Sequence, residues 1–389
     1  MKKKEVHVFI VWSKGLVHRE KIIVDIETKF EIIECINTTW TKRKFSENLS
    51  RFYGENLPKN SFKEKHCGAG TFLCIIVIDN NPKYDLRNTS KGVKVVNINL
   101  FDAKQLYREW TGGGHKIHAT DNVNEAKQNL YLLYGRKYKD ILNETPFKLT
   151  KNYNQDLIGS RGWKSLSEVF EALNELSNYL VLRNFENIDS ELDNLHPDID
   201  ILTDDDLLLA NIINGKKTFK QEYRVQYLTI INNKSVYFDL RYLGDGYYDN
   251  NWEQHILYNR VKYQNIYIPN EENHFYTLIY HAFIHKRGLS EDYVLKLIKL
   301  SKTINLNYTL CSFVDNKLLE DLNLFMSNKN YNYIEPNDLS VYFNIQIIKK
   351  FKSVINSKSR CWRDFKNKVK NKLKSAILKI LHFTFNQSN

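Results

Sequence analysis

Along residues 1–145, short apolar runs alternate with stretches whose apolar positions recur every three or four residues. Val6–Trp12, Phe30–Ile36, Phe72–Asp79 and Val93–Leu100 have strand length, and Phe72–Asp79 is apolar almost throughout. His18–Lys29, Lys42–Tyr53, Phe101–Trp110 and Asn122–Tyr134 carry the helical period. Strands separated by helices predict an α/β fold, Rossmann-like, with a mainly parallel sheet and helices on its faces. The stretch Gly135–Trp163 is polar and reads as a linker. A second pattern starts at Ser165-x-x-Glu168, a capping box, with Leu166, Phe170, Leu173 and Leu176 on the inner face of the helix it opens. Tyr179–Arg183, Asp198–Leu202 and Ser235–Arg241 read as strands; Asn273–His285 and Glu291–Ser301 read as helices. The expected organisation is an α/β domain over 1–145, an α+β domain with a helical part over 160–345, and a helical tail over 346–389.

Composition narrows the classes. Hydrophobic residues at 42%, with 24 Tyr and 21 Phe, supply a full core and exclude a disordered chain. Five cysteines (35, 67, 74, 311 and 361) contain no CxxC pair. That argues against a zinc-finger or disulfide framework and fits a reducing compartment. The first apolar run is interrupted by His7 and is too short for a signal peptide, and no run is long enough for a transmembrane helix. A cytoplasmic location follows as the expectation.

The net charge is +12, and its placement matters more than its size. Residues 349–379 hold twelve Lys and Arg against the single Asp364, so +11 of the charge lies there. Trp362, Phe365, Val369, Leu373, Ala376, Ile377, Ile380 and Phe383 form one apolar stripe in the same segment. A basic amphipathic helix over 349–385 suits an anionic membrane surface, which makes the expected location peripheral on the inner membrane face. The alternatives are docking of the stripe on the protein body and binding of a phosphate-rich partner. Confinement of the charge to one end argues against nucleic acid.

The sharpest chemical signal is His196-Pro197-Asp198-Ile199-Asp200-Ile201-Leu202. Residues two apart in a strand share a face, so Asp198 and Asp200 project together while Ile199 and Ile201 point inward. Paired carboxylates repel unless a cation lies between them, and hard oxygen ligands suit Mg²⁺ or Mn²⁺. Such a cation would hold a nucleoside polyphosphate. Asp239, in the strand Val236–Arg241, supplies a third carboxylate.

On these residues the segment 165–260 resembles the nucleotidyltransferase-fold superfamily, in the flavour of LicD/fukutin-like and uncharacterised transferases of bacterial surface-polysaccharide loci. The resemblance rests on the Asp198-Ile199-Asp200 strand, the Phe238-Asp239-Leu240-Arg241 strand and the preceding helix and strand from Ser165 to Arg183. It implies that Asp198 and Asp200 hold the metal and that Asp239 completes the site or activates the acceptor. It also implies a nucleotide or nucleotide-activated donor and a glycan or small-molecule acceptor. The superfamily places a Gly-Ser or Gly-Gly turn before the first Asp pair, whereas this chain reads Leu182-Arg183-Asn184-Phe185-Glu186. Arg183 and Asn184, with Arg241, would then meet the donor phosphates. A glycosyltransferase with a DxD motif, a nucleic-acid nucleotidyltransferase and a non-catalytic nucleotide-binding module are the rival readings.

Three further features carry candidate chemistry. Thr111-Gly112-Gly113-Gly114-His115-Lys116 precedes the helix capped by Asn122. Gly113, Gly114, His115 and Lys116 could form an anion nest there. His281 and His285 stand one helical turn apart, with Lys286 following, and would line the pocket under the carboxylates. Tyr242–Asp249, with Gly244 and Gly246, reads as a loop after the third Asp.

Overall fold

The computed structural model describes residues 4–90, 92–146, 150–186, 188, 197–306, 308–309 and 317–351. The basic tail lies outside the described residues from position 352 onward, as do His196 and its neighbours from 189. The chain divides into two compact units. The first is Met1–Lys220, Val225–Tyr242 and Lys262–Ile268; the second is Gln221–Arg224, Leu243–Val261 and Pro269–Asn389.

The first unit begins with a three-layer sandwich. Its strands are β1 (Glu5–Val11), β2 (Glu31–Thr39), β3 (Phe72–Asp79), β6 (Ile117–Ala119) and β7 (Lys151–Asn154), in the order β6-β1-β3-β2-β7. The hairpin of β4 (Tyr84–Thr89) and β5 (Gly92–Asn97) stands apart from that sheet. The helices are α1 (Arg19–Lys29), α2 (Phe45–Tyr53), α3 (Phe62–Cys67), α4 (Ile98–Trp110), α5 (Val123–Tyr134) and the short α6 (Tyr138–Ile141).

Every residue of β1 and β3 is buried, because both faces of the sheet are covered. Alternate side chains enter two different cores, as the strand period of two demands. Val6, Val8, Ile10 and Trp12 pack with Phe45, Leu49 and Phe52 of α2 and with Ala126 and Leu130 of α5. Phe9 and Val11 pack with Ile22 and Ile26 of α1 and with Leu100, Ala103 and Tyr107 of α4. Full burial of each such side chain contributes roughly 1.5–3 kcal/mol.

The sheet is not mainly parallel. β3 runs antiparallel to both β1 and β2, β6 runs antiparallel to β1, and only β2 and β7 are parallel. The continuous apolar runs that suggested parallel strands report burial on both faces, which helices produce over a mixed sheet as well. The stretch read as a linker is also structural. It contributes α6 and β7, its Tyr138 hydroxyl accepts the Val6 N–H at 2.9 Å, and its Trp163 is buried with Nε1 donating to the Ile213 carbonyl at 2.9 Å.

The second sheet of the unit has the order β10-β11-β12-β9-β8. Its strands are β8 (Tyr179–Val181), β9 (Asp198–Thr203), β10 (Lys216–Lys217), β11 (Gln226–Ile231) and β12 (Lys234–Tyr242), with helices α7 (Leu166–Leu176) and α8 (Asp206–Ile212) packed on it. A hairpin of β13 (Val261–Tyr263) and β14 (Ile266–Ile268) adds Ile266 and Ile268 to the same core. α7 starts as its capping residues predict: Ser165 Oγ accepts the Glu168 N–H at 3.2 Å. Ile199 and Ile201 of β9 and Val236, Phe238 and Leu240 of β12 form the buried face, against Val169, Phe170 and Leu173 of α7. Arg51 of α2 ties the two sheets together. It is buried and donates to the carbonyls of Asn211 at 2.9 Å, Ile212 at 2.6 Å and Ile158.

The second unit is helical: α9 (Asn250–Tyr258), α10 (Glu271–Tyr280), a π-helical turn His281–His285, α11 (Glu291–Thr303), α12 (Lys317–Asn328) and α13 (Ile345–Phe351). Its core is aromatic, with Trp252 stacked on Tyr331 at 5.7 Å and Tyr280 on Tyr333 at 5.8 Å. Among the described residues no helix is long and apolar enough to cross a membrane.

Candidate functional site

The three carboxylates meet on the face of the second sheet opposite its apolar core. β9 and β12 are parallel neighbours, and their register sets Asp239 beside Asp200 and Tyr237 beside Asp198. Because Asp198 and Asp200 are two apart, all three side chains emerge on one side. One oxygen from each lies within 4.8 Å of the other two. Antiparallel β11 places Gln226 across from Asp239. Octahedral Mg²⁺ with oxygens at about 2.1 Å holds adjacent ligands roughly 3 Å apart and opposite ones roughly 4.2 Å apart, so the three carboxylates would draw together around one ion.

The charges are unevenly balanced. Arg183 Nη2 donates to Asp200 Oδ1 at 2.5 Å, in a pair whose side chains are 11% and 14% exposed. Asp198 is solvent-exposed as a residue, yet its carboxyl lies against protein beside two others. Desolvation, then the charges of Asp200 and Asp239, push its pKa up to about 7, against the opposing pull of Arg183 and Arg241. Repulsion of this kind is what a bound cation would remove.

Leu182 N–H bonds the Asp200 carbonyl at 2.9 Å, extending the β8 pairing up to the turn that follows. In that turn Asn184 is exposed and takes φ 58°. Asparagine tolerates this left-handed conformation better than most residues. A left-handed residue therefore stands in the turn that follows β8. Arg241 is buried on β12, two residues beyond Asp239 on the same face.

The glycine-run candidates lie at the end of α4. Gly112, Gly113 and Gly114 all have φ near +80° and end α4, with the Gly113 N–H bonding the Arg108 carbonyl at 2.7 Å. They close the C-terminus of α4, and β6 stands between them and α5 in the chain. Lys116 turns its ammonium back onto the Thr111 carbonyl. His115 N–H bonds His66 Nδ1 at 3.3 Å. In the second unit, His281 Nδ1 pairs with the Tyr247 hydroxyl at 2.8 Å, and the His285 ring lies tilted against Tyr247 with centroids 4.1 Å apart; Lys286 follows the π-turn.

The loop Leu243–Asp249 of that unit is held by Glu253, which is fully buried and accepts the N–H groups of Gly244 at 2.7 Å and Tyr248 at 3.0 Å. Burial and the neighbouring Asp245 charge raise its pKa strongly. Asp249 caps α9.

Sequence reasoning did not single out Gln226, because β11 lacks a clean alternation. The signal for α3 was legible as Ser61-x-x-Glu64: Ser61 Oγ accepts the Glu64 N–H, and Glu64 reaches back to the Asn60 N–H. No family model matches this sequence, and comparison with curated proteins returns no match.

Proposed function

We propose that this chain is a Mg²⁺- or Mn²⁺-dependent transferase of nucleotidyltransferase type. It moves a nucleotidyl or phospho-alcohol group from a nucleotide-activated donor to a glycan or small precursor in surface-polysaccharide synthesis, on the cytoplasmic side of the membrane. The observation that carries this reading is the convergence of Asp198, Asp200 and Asp239 from two adjacent parallel strands to within 4.8 Å. Asp198 and Asp200 hold the cation. When bound, it would neutralise the donor phosphates and the charge developing on the transferred group. Asp239 completes the oxygen set or accepts the proton of the acceptor hydroxyl on a carboxylate oxygen. Arg183 fixes Asp200 and offers its planar fork to the donor phosphates, with Asn184 shaping the turn beside it. The basic segment 349–385 parks the enzyme at an anionic membrane surface.

One observation favours a second reading. Arg183 already neutralises Asp200, which suits a module that binds nucleotide without turning it over. A panel of nucleotides and nucleotide-activated alcohols and sugars separates the two, run with and without Mg²⁺ on the wild type and on Asp198→Asn/Asp200→Asn. A ligand at 100 times its Kd adds about 2.7 kcal/mol of stability, which thermal denaturation reads directly. The transferase reading expects Mg²⁺-dependent stabilisation and turnover, both lost in the double variant. Turnover that is unchanged in Asp200→Asn removes the metal role, and nucleotide binding without turnover of any donor favours the module.

A further inference from the structure

Arg183 is rooted beside the carboxylates by the backbone on either side of it. The Leu182 N–H bonds the Asp200 carbonyl at 2.9 Å. Phe185 is buried in the core of the second sheet, with its ring 6.0 Å from that of Tyr263. Asn184, at φ 58°, turns the chain between them. The root of the Arg183 side chain is therefore fixed. Its guanidinium, at the end of a stem of rotatable bonds, keeps a choice of partner.

Here that partner is Asp200. Nη2 donates to Oδ1 at 2.5 Å, and both side chains are largely shielded from water. A charge-assisted contact of this kind is among the stronger ones a side chain makes. It falls on one of the three carboxylates that would hold the cation.

Charge balance shows the consequence. The face that carries Asp198, Asp200 and Asp239 also carries Arg241, buried two residues beyond Asp239 on β12. Three carboxylates against Arg183 and Arg241 leave one net negative charge. A divalent cation alone turns this into a net positive charge, with a guanidinium of like sign beside it, and like charges at that range repel. A phosphate or diphosphate group supplies the missing negative charge. It also accepts two parallel N–H bonds from the guanidinium fork, which competes directly with the Asp200 contact.

We propose that Arg183 competes with the divalent cation for Asp200 and is drawn off it by the donor phosphates, so that cation and phosphate donor bind with positive coupling. This inference rests on the reading of the carboxylates as a cation site and adds how that site is regulated. A cation alone binds weakly, and cation with phosphate binds strongly. The coupling is reciprocal: each ligand raises affinity for the other by the same factor. Direct contact between cation and phosphate couples the two in any such site; the part owed to Arg183 is what Arg183→Gln removes.

The test uses the full chain at fixed ionic strength, as wild type, Arg183→Gln and Arg183→Lys. Electron paramagnetic resonance follows Mn²⁺ titrated in without phosphate, and calorimetry follows pyrophosphate titrated in saturating Mg²⁺. Arg183→Gln binds Mn²⁺ about ten-fold tighter than the wild type and magnesium pyrophosphate about ten-fold more weakly. A residue that only braced the fold would weaken both. Arg183→Lys keeps the charge and loses the fork, so its Mn²⁺ affinity stays within about two-fold of the wild type while magnesium pyrophosphate weakens several-fold. Thermal denaturation checks that each variant is folded; if Arg183→Gln is not, Arg183→Lys carries the test, and unchanged pyrophosphate affinity in it overturns the proposal. Mn²⁺ affinity that falls or stays the same in folded Arg183→Gln overturns the competition. Tighter Mn²⁺ with unchanged pyrophosphate overturns the donor half. Mn²⁺ bound by none of the three proteins removes the cation reading and this inference with it, whereas Mn²⁺ bound by the wild type with the wrong sign in the variant removes this inference alone.

Discussion

Replacing Asp198 with Asn removes one of three converging charges while keeping the shape of the side chain. In the wild type without a divalent cation, the Asp198 carboxyl is raised from 3.8 to about 7 by desolvation and by Asp200 and Asp239. An acid whose folded-state pKa is raised contributes stability that is complete below its unfolded value and is lost as pH climbs to the folded value. The wild type therefore loses stability between about pH 4 and pH 7, and the Asn variant does not lose this part. Full conversion of the rise at 1.36 kcal/mol per pH unit sets a ceiling of about 4 kcal/mol. Exposure of Asp198 to solvent reduces this to about 1 kcal/mol. In EDTA, Asp198→Asn matches the wild type at about pH 4 and is about 1 kcal/mol more stable at pH 8.5. Added Mg²⁺ reverses the order at pH 8.5, because only the wild type retains the ligand. Chemical denaturation at the two pH values, with and without Mg²⁺, measures both effects. A variant that is destabilised equally at both pH values, or that keeps the Mg²⁺ response, refutes the reasoning.

Arg51→Leu leaves the carbonyls of Ile158, Asn211 and Ile212 without their donor and lowers stability by about 3 kcal/mol in a denaturant titration. Glu253 has a raised folded-state pKa, so stability linked to it is lost as pH rises above the ordinary glutamate range. Denaturation followed from pH 5 to 9 falls with pH in the wild type and is flatter in Glu253→Gln. Gly114→Ala brings a Cβ to 2.0 Å from His66 Nδ1 at φ +78°, and costs about 2–3 kcal/mol. Gly113→Ala, at φ +80° with nothing within 4 Å, costs only about 1 kcal/mol; thermal denaturation of the pair separates the clash from the backbone strain.

The strands of the first sheet were legible because burial writes itself into composition, as in Phe72–Asp79. Their direction was not. β3 enters between β1 and β2 from later in the chain, and an all-apolar strand carries no mark of the polarity of its neighbours. Val93–Leu100 was misread in part: the strand ends at Asn97, whose side chain caps α4, and Val93 and Val95 are 68% and 58% exposed in a separate hairpin. The carboxylate pair was legible from its spacing of two, and Asp239 from its alternation with apolar neighbours. The pairing of Asp239 with Asp200 depends on register between segments about 40 residues apart, which no local pattern fixes. The glycine run suggested an anion nest because glycines serve both phosphate-cradling loops and helix C-termini, and composition alone does not separate the two. Only the hydrogen bonds to Tyr107, Arg108 and Glu109 show that it closes α4.

The central claim is that Asp198, Asp200 and Asp239 together hold one divalent cation. Electron paramagnetic resonance of Mn²⁺ titrated into the full chain at pH 8 tests it without reference to any donor. The account predicts one bound Mn²⁺ that Mg²⁺ displaces, with Asp198→Asn, Asp200→Asn and Asp239→Asn each weakening it by about ten-fold or more. Mn²⁺ binding that survives in all three folded variants, or none in the wild type, contradicts it.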